Sequence, residues 1–376
     1  MSECDPHQLP KLGFAHTALR QTVHLSLGGD SIRLHLSNLF GSEPLLIRAV
    51  SVASAMTAAP GAIASGSSVP VRFKGSASAK VSAGEELESD PVAFPVESLS
   101  SLVVTLLIDD APTCATTHSG ARATSFLAAG NLTATETLPN AEAFTHWYFL
   151  SAVDVMNSAA RGAVAVIGDS ITDGHGATTD GNDRWTDVLA QRLAKEKLAV
   201  LNLGIGGNHV LTDGIGPSAV SRFDRDVLKA TNVQTIILFE GTNDLGGLDR
   251  LQARPQPDHD KLIARIEAAM QKMAEKAHQQ KLCIVAGTVT PFVGSDYYHP
   301  DEATEADRQK LNAWIRTTKV FDGVLDFDKF VLDPAHPDRM AASADSGDHL
   351  HPGPEGYRQM GKDIPLELLM PGACRK

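Results

Sequence analysis

Apolar and polar residues alternate over residues 31–36, so that Ile32, Leu34 and Leu36 share one face while Ser31, Arg33 and His35 share the other. A period of two is the mark of a half-buried strand. Further short apolar runs at 22–27, 45–53 and 102–108 are separated by clusters of Gly, Pro, Ser and Asp. Residues from about 14 to 155 therefore read as β-structure of the sandwich or jelly-roll kind. Gly28-Gly29-Asp30 lies between two such runs and predicts a hairpin turn. The Ala/Ser-rich stretch 53–68 reads as a loop or edge.

From about residue 161 the pattern changes. Apolar runs at 163–167, 199–203, 235–239, 282–287 and 323–327 carry almost no alternation, and helical patterns near 184–195, 258–280 and 301–318 fall between them. Strands buried on both faces and separated by helices predict a parallel, doubly wound sheet. The loops following its strands gather at one edge, where ligands bind in such folds. A closing helix is expected from about residue 354. The chain thus divides into a β-rich region, 1–157, and an α/β region, 158–376.

Composition narrows the function classes. The formal charge is −12, from 33 Lys plus Arg against 45 Asp plus Glu, and no basic block is present. Such a surface repels a phosphate backbone, so nucleic acid is not an expected partner. Apolar runs are far too short to span a bilayer. Cys4, Cys114, Cys283 and Cys374 are widely spaced and lack metal-binding spacing. Cys283, inside an apolar run, reads as a buried thiol, and Cys4 and Cys374 as termini able to pair or stay free. Residues 1–10 have no basic segment followed by an apolar one, so no secretory signal is expected in the chain as given, which suits a cytosolic protein and a mature secreted one alike. Asn131-Leu132-Thr133 is a glycosylation acceptor only in a eukaryotic secretory pathway. Oligomeric state is not legible.

Four polar segments follow the predicted strands. Gly168-Asp169-Ser170-Ile171-Thr172-Asp173-Gly174 leaves the first strand and puts Ser170 at the sheet edge. Backbone N–H groups at the start of a turn or helix there favour negative charge, although Asp and Ser after a strand also suit helix capping. Thr172 stands where the Gly-x-Ser-x-Gly elbow needs a second glycine, so that architecture is excluded. Gly204-Ile205-Gly206-Gly207-Asn208 can present N–H groups to an oxyanion; it also resembles a phosphate loop, but His209 occupies the position of the third glycine. In Glu240-Gly241-Thr242-Asn243-Asp244 the Asn243 amide is a donor for developing charge, or else a turn former. Asp348 and His351 are three residues apart in Asp345-Ser346-Gly347-Asp348-His349-Leu350-His351-Pro352, so one loop can hold a carboxylate against an imidazole. Asp345 is a second candidate carboxylate, and His349 reads as solvated or core.

These segments, GDSITDG at 168–174, GIGGN at 204–208, GTND at 241–244 and DHLHP at 348–352, occur in the order of the four signature blocks of the GDSL/SGNH hydrolases, which the chain resembles from about residue 162 onward. The resemblance implies a flavodoxin-like three-layer α/β/α domain with a five-stranded parallel sheet, preceded here by the β-sandwich or jelly-roll-like domain. It implies Ser170 as nucleophile, His351 as general base and Asp348 as its orienter. The oxyanion donors would be the Ser170 and Gly207 N–H groups, with Gly206 the weaker candidate, and the Asn243 side chain. No metal and no organic cofactor is implied. Relatives include lipases, thioesterases and carbohydrate acetylesterases. The expected function is hydrolysis of short acyl or acetyl esters, with a carbohydrate as one candidate alcohol portion; lipase or thioesterase action or acyl transfer by the same serine is the alternative, and noncatalytic carbohydrate binding a more distant one. No functional residue is assigned to the β-rich region.

Overall fold

The computed structural model describes residues 9–56 and 59–374; Cys4, most of the N-terminal stretch and part of the Ala/Ser-rich segment lie outside them. The chain forms two compact units, Met1–Ala160 with Thr179–Asn182, and Arg161–Thr178 with Asp183–Lys376. Thr179–Asn182 is tied into the first unit through Asp180. Its carboxylate accepts the Thr124 N–H at 2.7 Å and the Thr124 hydroxyl at 2.5 Å, while its own N–H donates to the Arg122 carbonyl.

The first unit is antiparallel. Thr17–His24 sits between Ser125–Ala129 and Ser101–Asp110, and Leu45–Ser54 continues the sheet beyond Ser101–Asp110. A second, three-stranded sheet orders Leu150–Met156, Ser31–Ser37 and Glu86–Glu88. Ile32, Leu34 and Leu36 of one sheet and Leu19, Val50, Val104 and Leu106 of the other belong to one core, which makes the unit a sandwich. Burial along Ser31–Ser37 follows the alternation read from the sequence.

The hairpin expected at Gly28-Gly29-Asp30 does not form. The preceding strand runs Thr17–His24, not 22–27, and pairs with two others, while Ser31–Ser37 belongs to the opposite sheet. The two glycines instead permit a close crossing. A Cβ on Gly28 would collide with the backbone of Val96, and one on Gly29 would stand 2.6 Å from the Met156 carbonyl oxygen.

The second unit is a five-stranded parallel sheet ordered Leu198–Gly204, Gly162–Gly168, Val233–Phe239, Cys283–Gly287, Gly323–Leu325. This is the flavodoxin-like order, second strand outermost and first strand beside the third. Alternate residues feed two cores. Ala165, Ile167, Ile236 and Leu238 pack under helices Gln256–Gln279 and Glu302–Thr317, whereas Val164, Val166, Ile237 and Phe239 pack under Trp185–Leu193 and Pro354–Asp363. Three layers result. The fifth strand ends at Leu325, earlier than expected, because Phe327 opens the short helix Phe327–Val331 and its ring enters the second core. Among the described residues no helix is long and apolar enough to cross a membrane.

Cys283 is buried as expected but is not a thiol: it is bonded to Cys374 across 91 residues. Leu369, buried in the second core, accepts the Thr235 hydroxyl at its carbonyl at 3.4 Å, so the chain end is drawn past the sheet and its cysteine reaches the fourth strand. Cys114 is free and half-buried.

Candidate active site

In register, Gly168 lies opposite Gly204 on one side and Phe239 on the other. The three segments that follow these strands therefore start at the same level, at the point where strand order reverses and open α/β sheets bind ligands. Gly168 is required by space: a Cβ there would collide with the Thr172 side chain and stand 2.9 Å from the Phe239 carbonyl oxygen. Asp169 then caps the one-turn helix Ser170–Asp173, its carboxylate accepting the Ile171 N–H at 2.9 Å. Gly174, at φ 101°, closes that turn in the left-handed region. Ser170 is thereby the first residue of a turn held at both ends, and the capping reading of Asp169 and the nucleophile reading of Ser170 are compatible. Burial pushes the Asp169 carboxyl up to about 6, against the Ile171 N–H and the nearby His351.

His351 reaches this serine from the loop before the closing helix. Ser170 Oγ and His351 Nε2 are 2.8 Å apart, and His351 Nδ1 is 2.6 Å from Asp348 Oδ2. Burial alone would raise the Asp348 carboxyl. The His351 ring and the N–H groups of His351 and Leu350 outweigh it and hold the group well below the usual carboxylate range. An ionised carboxylate only accepts, so it fixes the proton on Nδ1 and leaves the Nε2 lone pair for the serine hydroxyl. Asp345 is engaged elsewhere. It accepts the N–H groups of Gly347 and His349 and pairs with the exposed His349 ring at 2.6 Å. It shapes the loop and does not bond His351.

His175, which no motif reading singled out, lies over the pair. Its ring centroid is 4.0 Å from that of His351 and its Nε2 is 3.9 Å from Asp348 Oδ2. Among the described residues these three form a group close enough to hold a metal ion. However, both His351 nitrogens are engaged and the two rings overlie one another at 36°, an arrangement in which their lone pairs do not converge on one point.

The second and third loops are stitched together. Asn243, four residues past the third strand, donates its Nδ2 to the Asn208 carbonyl at 2.6 Å, and its Oδ1 accepts the Tyr298 hydroxyl at 2.6 Å. The Asp244 carboxylate accepts the N–H groups of Val210 and Leu211. The sequence reading of this segment as a loop is corrected: Thr242–Leu248 is helical, with Gly241 before it at φ 125°. Gly207 stands at φ 69° in the second loop, whereas Gly206 has no such backbone requirement.

Under all three loops lies Arg222, fully buried. Its guanidinium donates to Asn208 Oδ1 at 2.8 and 3.1 Å, to the Leu203 carbonyl at 2.6 Å and to the Gly168 carbonyl at 3.2 Å, and lies 3.7 Å from Glu240. Burial raises the Glu240 carboxyl well above its ordinary range, with Asp169 adding to the effect and Arg222 opposing it. Arg222 follows no strand and lies in no motif, so nothing local in the sequence marks it. Tyr298 is equally unmarked, 55 positions from its partner.

The fold and the gathered loops are those of a flavodoxin-like hydrolase domain. Residues 166–359 match the GDSL-like lipase/acylhydrolase family, and the chain belongs to it. Solved structures that resemble part of the chain include a GDSL-like lipase from Bacteroides thetaiotaomicron, 19% identical over 54% of this chain and 84% of that one, with a TM-score of 0.39. Two others are an aryl esterase from M. smegmatis (16% identity, 54% and 95% covered, TM-score 0.41) and a carbohydrate acetylesterase from Sinorhizobium meliloti (14% identity, 54% and 95% covered, TM-score 0.40). None is close enough for its substrate to be carried over. No curated protein matches the chain.

Proposed function

We propose that this protein is a serine esterase that hydrolyses carboxylic esters of short acyl groups, acetyl foremost, with Ser170 as nucleophile, His351 as general base and Asp348 as its orienting partner. The observation that carries the reading is the continuous chain of short hydrogen bonds, 2.8 Å from Ser170 to His351 and 2.6 Å from His351 to Asp348. In the first half-reaction the Ser170 Oγ attacks the ester carbonyl while His351 Nε2 takes its proton. The carbonyl electrons move to oxygen, and the Ser170 N–H, the Gly207 N–H and the Asn243 Nδ2 stabilise the negative charge. Collapse expels the alkoxide, which takes the proton from His351. Water then repeats the sequence: His351 accepts its proton, hydroxide adds to the acyl carbon, and the acid departs as the proton returns to Ser170.

Ile215, an exposed apolar side chain, lies beside the proposed oxyanion loop, where a Cβ on Gly207 would stand 2.9 Å from its Cδ1; the acyl length is what the assay decides. The test is hydrolysis of p-nitrophenyl acetate, butyrate and octanoate and of an acetylated xylan by the wild type and Ser170→Ala. Rates should fall with acyl length, the xylan arm reads whether a sugar hydroxyl serves as the alcohol, and the variant should lose about 10⁴-fold or more in kcat. Undiminished activity in the variant removes Ser170 from the mechanism, and a wild type inert on every ester rejects the esterase reading.

A further inference from the structure

Asn243 has two hydrogen-bonding ends, and its surroundings settle how they face. The Asn208 carbonyl oxygen can only accept, so the atom 2.6 Å from it must be Nδ2, because an amide oxygen there would place two acceptors in contact. Oδ1 is thereby turned to Tyr298, whose hydroxyl must be the donor. One N–H of the amide is spent on Asn208, and a single N–H remains. Each anchor is itself fixed. Asn208 receives two Arg222 bonds at its side chain and donates its Nδ2 to the Pro217 carbonyl at 2.8 Å. The Tyr298 ring is buried, lies against Gly246, where a Cβ would stand 2.5 Å from it, and has Phe292 and Tyr297 rings edge-on at 6.2 and 4.7 Å.

We propose that Tyr298 is a positioning residue for the esterase reaction: by holding Oδ1 it locks the Asn243 amide in the one orientation that leaves an N–H for the oxyanion. The proposal rests on the esterase reading and adds a residue to it. Burial also pushes the Tyr298 hydroxyl well above its ordinary range, against the nearby Arg250, so it remains a donor wherever the enzyme works. Without the hydroxyl, the amide keeps only its Asn208 bond and can turn about it, and the spare N–H is no longer held toward the developing charge.

Steady-state kinetics on p-nitrophenyl acetate with the full chain test this in a double-mutant cycle of Tyr298→Phe and Asn243→Ala. Tyr298→Phe should lower kcat about 10-fold with KM nearly unchanged, since the lost interaction belongs to the transition state. Asn243→Ala should cost about 10²-fold, and adding Tyr298→Phe to it should cost nothing more. A Tyr298→Phe variant with wild-type kcat, or one whose loss is the same in the presence and absence of Asn243, overturns the proposal. An Asn243→Ala variant with wild-type kcat contradicts the oxyanion assignment itself, a separate failure. If Tyr298→Phe does not yield folded protein, Gly246→Ala serves instead, because its methyl displaces the ring while the hydroxyl remains. It should lower kcat with KM unchanged, and an unaltered kcat in that variant counts against the lock.

Discussion

At the scale of single residues the site depends on carboxyl groups that differ only in surroundings. Asp348 accepts the Nδ1–H of the His351 ring and two backbone N–H groups and is held ionised, whereas Asp169, fully buried beside the serine, is pushed from 3.8 up to about 6. An acid whose folded pKa is raised contributes stability that is fully present below its unfolded value and lost as pH rises through the folded one. For Asp169 that window runs from about pH 4 to about pH 6. Asn caps a helix as well as Asp does, so Asp169→Asn should equal the wild type near pH 4 and exceed it at pH 7 by about 2–3 kcal/mol. Urea unfolding at both pH values checks this, and a difference that does not change with pH would contradict it. In the sequence Asp345 and Asp348 are both candidates for the His351 partner. Spacing and family pattern favour Asp348, but what separates them physically is the turn that Asp345 braces by accepting two backbone N–H groups, and such bonds leave no trace in composition.

At the scale of elements, the three inner strands of the parallel sheet, Gly162–Gly168, Val233–Phe239 and Cys283–Gly287, are the most legible because burial on both faces demands nearly unbroken apolar runs. The ends of elements are less so. Phe327 extends the apolar run of the fifth strand but serves the following helix, and Thr242–Leu248 reads as a loop because its first turn is polar. The hairpin at Gly28-Gly29 fails for a similar reason: glycine signals close backbone approach as well as a turn. Arg222 shows what local reading misses altogether. It joins the ends of three strands that are distant in sequence, and it lies on the short irregular helical stretch Ala219–Leu228, which carries no motif. Arg222→Met keeps the bulk but strands the Asn208, Leu203 and Gly168 acceptors and uncovers Glu240. It should destabilise the fold by about 3–5 kcal/mol in urea unfolding; a loss under about 1 kcal/mol would show that the three loops hold without it.

At the scale of the whole chain, alternation in the first part and buried runs in the second are enough to anticipate a sandwich and a doubly wound sheet. The pairing of Cys283 with Cys374 is not legible in the same way, since distance in sequence says nothing of where a C-terminal segment docks. That bond closes a loop across 91 residues and should contribute about 2–4 kcal/mol, read as the difference in urea stability between the wild type and Cys374→Ser; equal stabilities would mean the tail adds no constraint. The family and the four ordered blocks make the serine the centre of the proposed chemistry, and labelling that residue is the most direct measurement. The full chain is treated with a p-nitrophenyl alkylphosphonate, which leaves a stable adduct on an activated serine, and is then mapped by peptide mass spectrometry. One adduct per chain, on the peptide containing Ser170, formed in step with loss of esterase activity and far more slowly in His351→Ala, is the expected result. An adduct on another residue with activity lost, or full labelling of Ser170 with activity retained, would contradict it.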